Sequence, residues 1–252
     1  MFDIPASRRS FVTGALVGAC GLSLPVTRAA ATEAQKKHIV LLGDSILANG
    51  AYVGDGPDVI EQLNTSLPAG ARATLGAMDG SVTSGVRLQL QIAPEDATHF
   101  VISAGGNDAL HSASLLGEKA SSVAEALEKL AVVREAFERE YRAMLDDVVA
   151  RGLPVAVCTI YDARFPDAKQ RRLASLGLTI FNDCITREAA ARGLGLIDLR
   201  LILIAAEDLA NPIEPSVTGG AKIASAIAAF ASDYDGTKGR CEVFAAASAK
   251  TY

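Results

Sequence analysis

Four short apolar runs constrain this chain more than any other feature. Residues 38–42 (HIVLL), 99–103 (HFVIS), 155–160 (VAVCTI) and 194–199 (LGLIDL) are nearly continuous in apolar character, and a weaker run lies at 73–77. They do not alternate between apolar and polar residues, as a sheet with one wet face would. Unbroken runs are the pattern of strands covered on both faces, which is the condition of a parallel sheet. Helical patterns separate the runs. Over 121–151, Val123, Leu127, Leu130, Phe137, Tyr141, Met144 and Val148 recur every three or four residues until Gly152 and Pro154 stop them. Residues 167–193 and 219–230 carry further helical patterns, the latter with Ile223, Ile227 and Phe230 on one stripe. Strands alternating with helices predict a parallel sheet between helical layers. No repeat, linker or second domain interrupts the pattern, and residues 236–252 carry no signal.

Composition narrows the function classes. The formal net charge is −5, which argues against nucleic acid or an anionic membrane as partner. There is no tryptophan. The sequence has no Walker loop, no G-x-G-x-x-G and no H-E-x-x-H, so no cofactor or metal is implied. Residues 1–31 read as an export signal: Ser7-Arg8-Arg9-Ser10-Phe11-Val12, an apolar stretch over 11–24, then Ala29-Ala30-Ala31. The arginine pair resembles a twin-arginine signal, and the apolar stretch is too short to span a membrane. A competing detail, Val17-Gly18-Ala19-Cys20, resembles a lipoprotein cleavage site. The expected product is a periplasmic or secreted protein cleaved near Ala31, with one domain over 32–235. Cys158, Cys184 and Cys241 remain, with no metal-ligand spacing. One disulfide among them is allowed and its pairing stays open.

In parallel α/β sheets, chemistry gathers where strands end. The first run ends in Gly43-Asp44-Ser45, which places a hydroxyl on the turn out of a strand. The second strand region leads to Met78-Asp79-Gly80-Ser81. The third ends in Gly105-Gly106-Asn107-Asp108, where Asn107 can present an amide donor. Asp44 and Asp108 are read as helix caps.

G-D-S, an isolated glycine and G-x-N-D, in this order behind successive strands, resemble the SGNH/GDSL hydrolase superfamily. The resemblance covers nearly all of the chain after the export signal. It implies a three-layer α/β/α flavodoxin-like domain with a five-stranded parallel sheet in the order 2-1-3-4-5. It also implies a serine esterase with Ser45 as nucleophile and an oxyanion hole from the backbone N–H groups of Ser45 and Gly80 and the Asn107 amide. The implied substrate is a small acyl ester or an acetylated carbohydrate. The last family block, D-x-x-H, departs. Asn211-Pro212-Ile213-Glu214 stands in its place, and the only histidines are His38, His99 and His111. Three readings stay open. Glu214 is the general base, raised in pKa by burial and oriented by Asn211. His111 substitutes from beyond Asn107. Or the crevice is non-catalytic and binds an ester or sugar ligand.

Overall fold

The computed structural model describes residues 36–245. The export signal predicted over 1–31 lies outside them. Six parallel strands form one sheet in the order β2-β1-β3-β4-β5-β6: β1 His38–Gly43, β2 Arg72–Leu75, β3 His99–Ser103, β4 Val155–Cys158, β5 Gly195–Ile197 and β6 Glu242–Phe244. The first five follow the expected order. The sixth corrects the expected count of five, and it comes from the segment that carries no sequence signal. Its three residues pair with Gly195, Leu196 and Ile197. Phe244 packs edge-on against Phe230, with ring centroids 5.6 Å apart, and also meets Tyr234.

Both faces of the sheet are dry, as the apolar runs require. Val40, Leu42, Phe100, Ile102, Val155, Val157 and Leu196 point to one core. It is closed by α2 (Val86–Gln91), α4 (Val123–Val149) and α5 (Ala168–Arg192). Ile39, Leu41, Val101, Ala156, Cys158 and Ile197 point to the other, closed by α1 (Val59–Ser66), α6 (Leu199–Ile202) and α7 (Val217–Asp233). A seventh helix, α3 (Gly106–Ser112), follows β3 directly. The stripe predicted on α4 is the buried one from Phe137 onward. Phe137, Tyr141, Met144, Leu145 and Val148 are inside, whereas Val123 and Leu127 are exposed. Complete burial of one such side chain contributes about 1.5–3 kcal/mol.

The helix ends follow local chemistry. The side chains of Ser122, Asp167 and Ser216 accept from N–H groups in the first turns of α4, α5 and α7, and Gly193 closes α5 at φ +64°. Cys158, Cys184 and Cys241 are free thiols. No described helix is long and apolar enough to cross a membrane.

The end of β1 is the tightest point. Gly43 has φ +121°, and a Cβ there would lie 1.7 Å from the Ser103 carbonyl oxygen. Only glycine fits such a backbone against a neighbouring strand. Gly54 also has positive φ, +60°, but a Cβ there meets nothing within 4 Å. Gly43→Ala is therefore expected to cost more than about 3 kcal/mol or prevent folding, while Gly54→Ala costs about 1–2 kcal/mol. Urea denaturation of both variants checks this, and equal small losses contradict it.

Candidate active site

Gly43, Gly80 and Gly105 gather at the carboxyl edge of the sheet, and hydrogen bonds hold them there. Asp44 N–H donates to the Ser103 carbonyl at 3.0 Å, and Met78 N–H donates to the Gly43 carbonyl at 2.9 Å. Gln89 on α2 clamps the same glycine from the side. Its Oε1 accepts from Gly43 N–H at 2.6 Å, and its Nε2 donates to the Gly43 carbonyl at 2.8 Å and to Ser81 Oγ at 3.1 Å. The turn that carries Ser45 is thus fixed before any substrate arrives.

Ser45 Oγ donates to Glu214 Oε1 at 3.0 Å. These two residues are 169 positions apart in sequence. Each is only 6% exposed. The second carboxylate oxygen of Glu214 is buried and has no hydrogen-bond partner. Burial pushes the Glu214 pKa up to about 7; the Ser45 hydrogen bond offsets part of the rise, and the charge of Asp79 adds to it. A hydroxyl bonded to a carboxyl that titrates near neutrality is an arrangement suited to general-base chemistry.

The segment bearing Glu214 is strapped down along its length. Asn211 Oδ1 accepts from the backbone N–H groups of Ile213 at 2.9 Å and Glu214 at 3.0 Å. Asn211 therefore reaches Glu214 through the backbone, and the sequence-level expectation that it orients the carboxylate takes this indirect form. Ala210 N–H donates to the Glu214 carbonyl at 2.8 Å, and Arg164 N–H to that of Pro212 at 2.7 Å. The Tyr161 hydroxyl donates to the Ile213 carbonyl, and Asn49 Nδ2 to that of Pro215 at 3.1 Å. Below the strap, the fully buried Asp208 pairs with Lys222 of α7 at 2.7 Å. A Cβ on Gly219 would lie 2.0 Å from the Asp208 carbonyl oxygen, so α7 and the strap touch backbone to backbone.

The other expected residues are close by. Asn107 lines the cleft beside Ser45 and donates one amide hydrogen to the Ser81 carbonyl at 2.9 Å. An asparagine amide carries two hydrogens, so the second stays uncommitted. Gly80, at φ +74°, does not line the cleft; its turn is tied to the site on both sides, through Met78 and Ser81. Asp108 is not a cap. It accepts from Thr83 N–H and Thr83 Oγ1, both at 3.0 Å, and so pins the loop after β2 to α3. Asp44 is not a helix cap either; the residues after it form a turn, and the next helical element starts only at Asn49. The buried Oδ1 of Asp44 accepts from Ile46 N–H at 3.2 Å and Ser103 Oγ at 2.9 Å, and burial pushes the Asp44 pKa up to about 7.

The histidines lie elsewhere. His38 bonds Asp96 and Thr74, and His99 is buried at the start of β3 with its pKa lowered by burial to about 4. Both sit at the opposite end of their strands from Ser45. His111 is exposed on α3 and does not line the cleft. The cleft itself has a volume of about 320 Å³. It runs from Ser45 and Glu214 between α3, α4 and α5, with Leu115, Leu130, Val133, Ile160, Phe165 and Phe181 on its walls. Among the described residues, no group of His, Cys, Asp and Glu could hold a metal ion.

Burial of Glu214 has a sign that stability measurements can read. The folded protein holds the Glu214 proton more tightly than the unfolded chain does. The stabilisation this gives is complete below the ordinary glutamate value and is lost as pH rises through about 7. Glu214→Gln keeps the shape and stays neutral. It is expected to match wild type near about pH 5 and to be more stable near about pH 8, by roughly 1–3 kcal/mol. A stability difference that does not change with pH contradicts this.

Comparison with known proteins agrees with the fold. The model of the GDSL-like lipase/acylhydrolase family matches residues 41–221. No curated protein gives a significant sequence match. Solved structures are similar at low identity. An extracellular lipase from Streptomyces rimosus is 21% identical, with 74% of this chain and 95% of that chain covered and a TM-score of 0.56. A phospholipase A1 from Streptomyces albidoflavus is 16% identical over the same shares, also at 0.56. A lipase/acylhydrolase from Enterococcus faecalis is 22% identical, covering 76% of this chain and 95% of that chain at 0.55.

Proposed function

The chain belongs to the GDSL-like lipase/acylhydrolase family, and from that premise we propose that it hydrolyses carboxylic esters through an acyl-enzyme on Ser45, with Glu214 as the general base. The observation that carries this reading is the buried 3.0 Å hydrogen bond from Ser45 Oγ to Glu214 Oε1. Ionised Glu214 takes the hydroxyl proton as Oγ attacks the ester carbonyl. The backbone N–H of Ser45 and the free Asn107 N–H receive the oxyanion; Gly80, expected as a third donor, stands in the neighbouring turn outside the cleft wall. As the tetrahedral species collapses, the C–O bond to the alcohol breaks and Glu214 returns its proton to the leaving oxygen. Water then repeats the sequence on the acyl-enzyme, activated by the same carboxylate. The apolar cleft supports an aliphatic acyl chain as substrate, in preference to the acetyl group of an acetylated sugar. Its placement beside Ser45 lets such a chain leave water while the carbonyl stays at the sheet edge.

Export is part of the same proposal. The Arg8-Arg9 pair, the apolar stretch and the Ala29-Ala30-Ala31 site support transport of the folded protein to the periplasm or beyond. The similar Streptomyces rimosus lipase is itself extracellular. Replacing both arginines by lysine is expected to leave the protein in the cytoplasm; unchanged export in that double variant excludes the twin-arginine route.

Hydrolysis of a 4-nitrophenyl ester series tests the chemistry. Ser45→Ala is expected to be inactive. Glu214→Gln should lose about 10²–10⁴-fold in kcat, whereas His111→Ala should stay near wild type. Because Glu214 must be ionised, kcat/KM should fall as pH drops through about 7. Near-wild-type turnover in Glu214→Gln beside a dead Ser45→Ala removes Glu214 from the mechanism. No turnover of any ester by wild type removes the esterase reading and favours a binding protein.

A further inference from the structure

The cleft wall holds one carboxyl that neither the fold nor the proposed mechanism uses up. The other buried polar groups on the wall are committed to the fold or, for Glu214, to the proposed mechanism. Ser103 donates to Asp44, Thr159 donates to Asp198 at 2.8 Å, and the Tyr161 hydroxyl donates to the Ile213 carbonyl. Asp44 is 2% exposed, and both of its hydrogen bonds fall on Oδ1. Oδ2 makes none among the described residues. Asp44 is nevertheless a lining residue of the cleft, and the side of Oδ2 toward Gly106 is open because glycine has no side chain there. A carboxyl oxygen is thus offered to whatever enters an otherwise apolar space, one residue from Ser45.

We infer that Asp44 Oδ2 is a subsite for a hydroxyl on the acyl chain, which makes 2- or 3-hydroxyacyl esters the preferred substrates. This rests on the reading that the cleft takes the acyl chain. An unsubstituted chain packed against Oδ2 would strip it of water and offer nothing in return. A hydroxyl is both donor and acceptor, so it pairs with the carboxylate by donating and with the carboxylic acid by accepting. An ammonium group could serve only the first state and a ketone only the second. Since burial pushes Asp44 up to about 7, both states are present near neutral pH, and the hydroxyl fits each. Asp44 and Ser45 are adjacent in sequence and both line the cleft, which favours a hydroxyl on the first carbons after the carbonyl.

The test compares 4-nitrophenyl octanoate with its 2-hydroxy and 3-hydroxy analogues. Wild type is expected to show a kcat/KM at least roughly tenfold higher for one hydroxylated ester, because a site built to pair a hydroxyl penalises the analogue that lacks it. The preference should fall toward unity in Asp44→Ala. Gly106→Ala offers a second route that leaves Asp44 in place: its Cβ would sit 3.7 Å from Oδ2 and cover the open side, so it too should lower the preference. Equal or better hydrolysis of plain octanoate overturns the inference, as does a preference that survives in both variants. If wild type hydrolyses none of the three, the esterase reading fails and binding decides this one. Calorimetry on Ser45→Ala should then show tighter binding of a hydroxyoctanoate than of octanoate, and equal binding overturns it.

Discussion

Removal of water from carboxyl groups is the interaction on which this site depends. A glutamate in water titrates far below neutrality and holds a proton too weakly to draw one from a serine hydroxyl. Histidine avoids the problem because its ordinary pKa is already near neutral. Glu214 reaches the same range by burial, with the charge of Asp79 pushing the same way. Asp44, which also lines the cleft, is raised by the same cause. Two carboxyls raised by burial in one cleft cost folding free energy at neutral pH.

A raised pKa is useful only if the carboxyl stays within reach of the hydroxyl, and the strap provides that. Asn211, Ala210, Tyr161 and Asn49 hold the backbone around Glu214, and the Asp208–Lys222 pair fixes the strap to α7. On the serine side, Gln89 does the same for the end of β1. The two halves of the site therefore approach each other as rigid parts. In the family pattern an aspartate would bond the imidazole. Asn211 instead makes an uncharged turn, and a third carboxylate next to Glu214 would raise its pKa further by like-charge repulsion.

The sheet was legible in the sequence because each central strand is buried on both faces and reads as an unbroken apolar run. β6 was not. Glu242, Val243 and Phe244 lie at the sheet edge, part-exposed, and what fixes them is pairing with β5 and the edge-on contact of Phe244 with Phe230. Ser45, Asn107 and Glu214 could be picked out because they stand at strand ends or within a recognisable block. Gln89, Tyr161 and Asn49 could not. Their contacts span 46, 52 and 166 positions respectively, and nothing local marks a glutamine or tyrosine as a backbone clamp. The burial that lifts Asp44 and Glu214 was equally out of reach, since it comes from residues brought together only by the whole fold.

On the proposed mechanism, Glu214 activates Ser45 already in the free protein. Fluorophosphonate labelling reads this most directly, because it scores the hydroxyl's reactivity without requiring the right ester. Label mapped by mass spectrometry should sit on Ser45, its rate should fall as pH drops through about 7, and Glu214→Gln should abolish that pH dependence together with most of the rate. Labelling of Ser45 at the same rate in Glu214→Gln as in wild type, or no labelling of wild type under conditions that label a serine esterase, would contradict it.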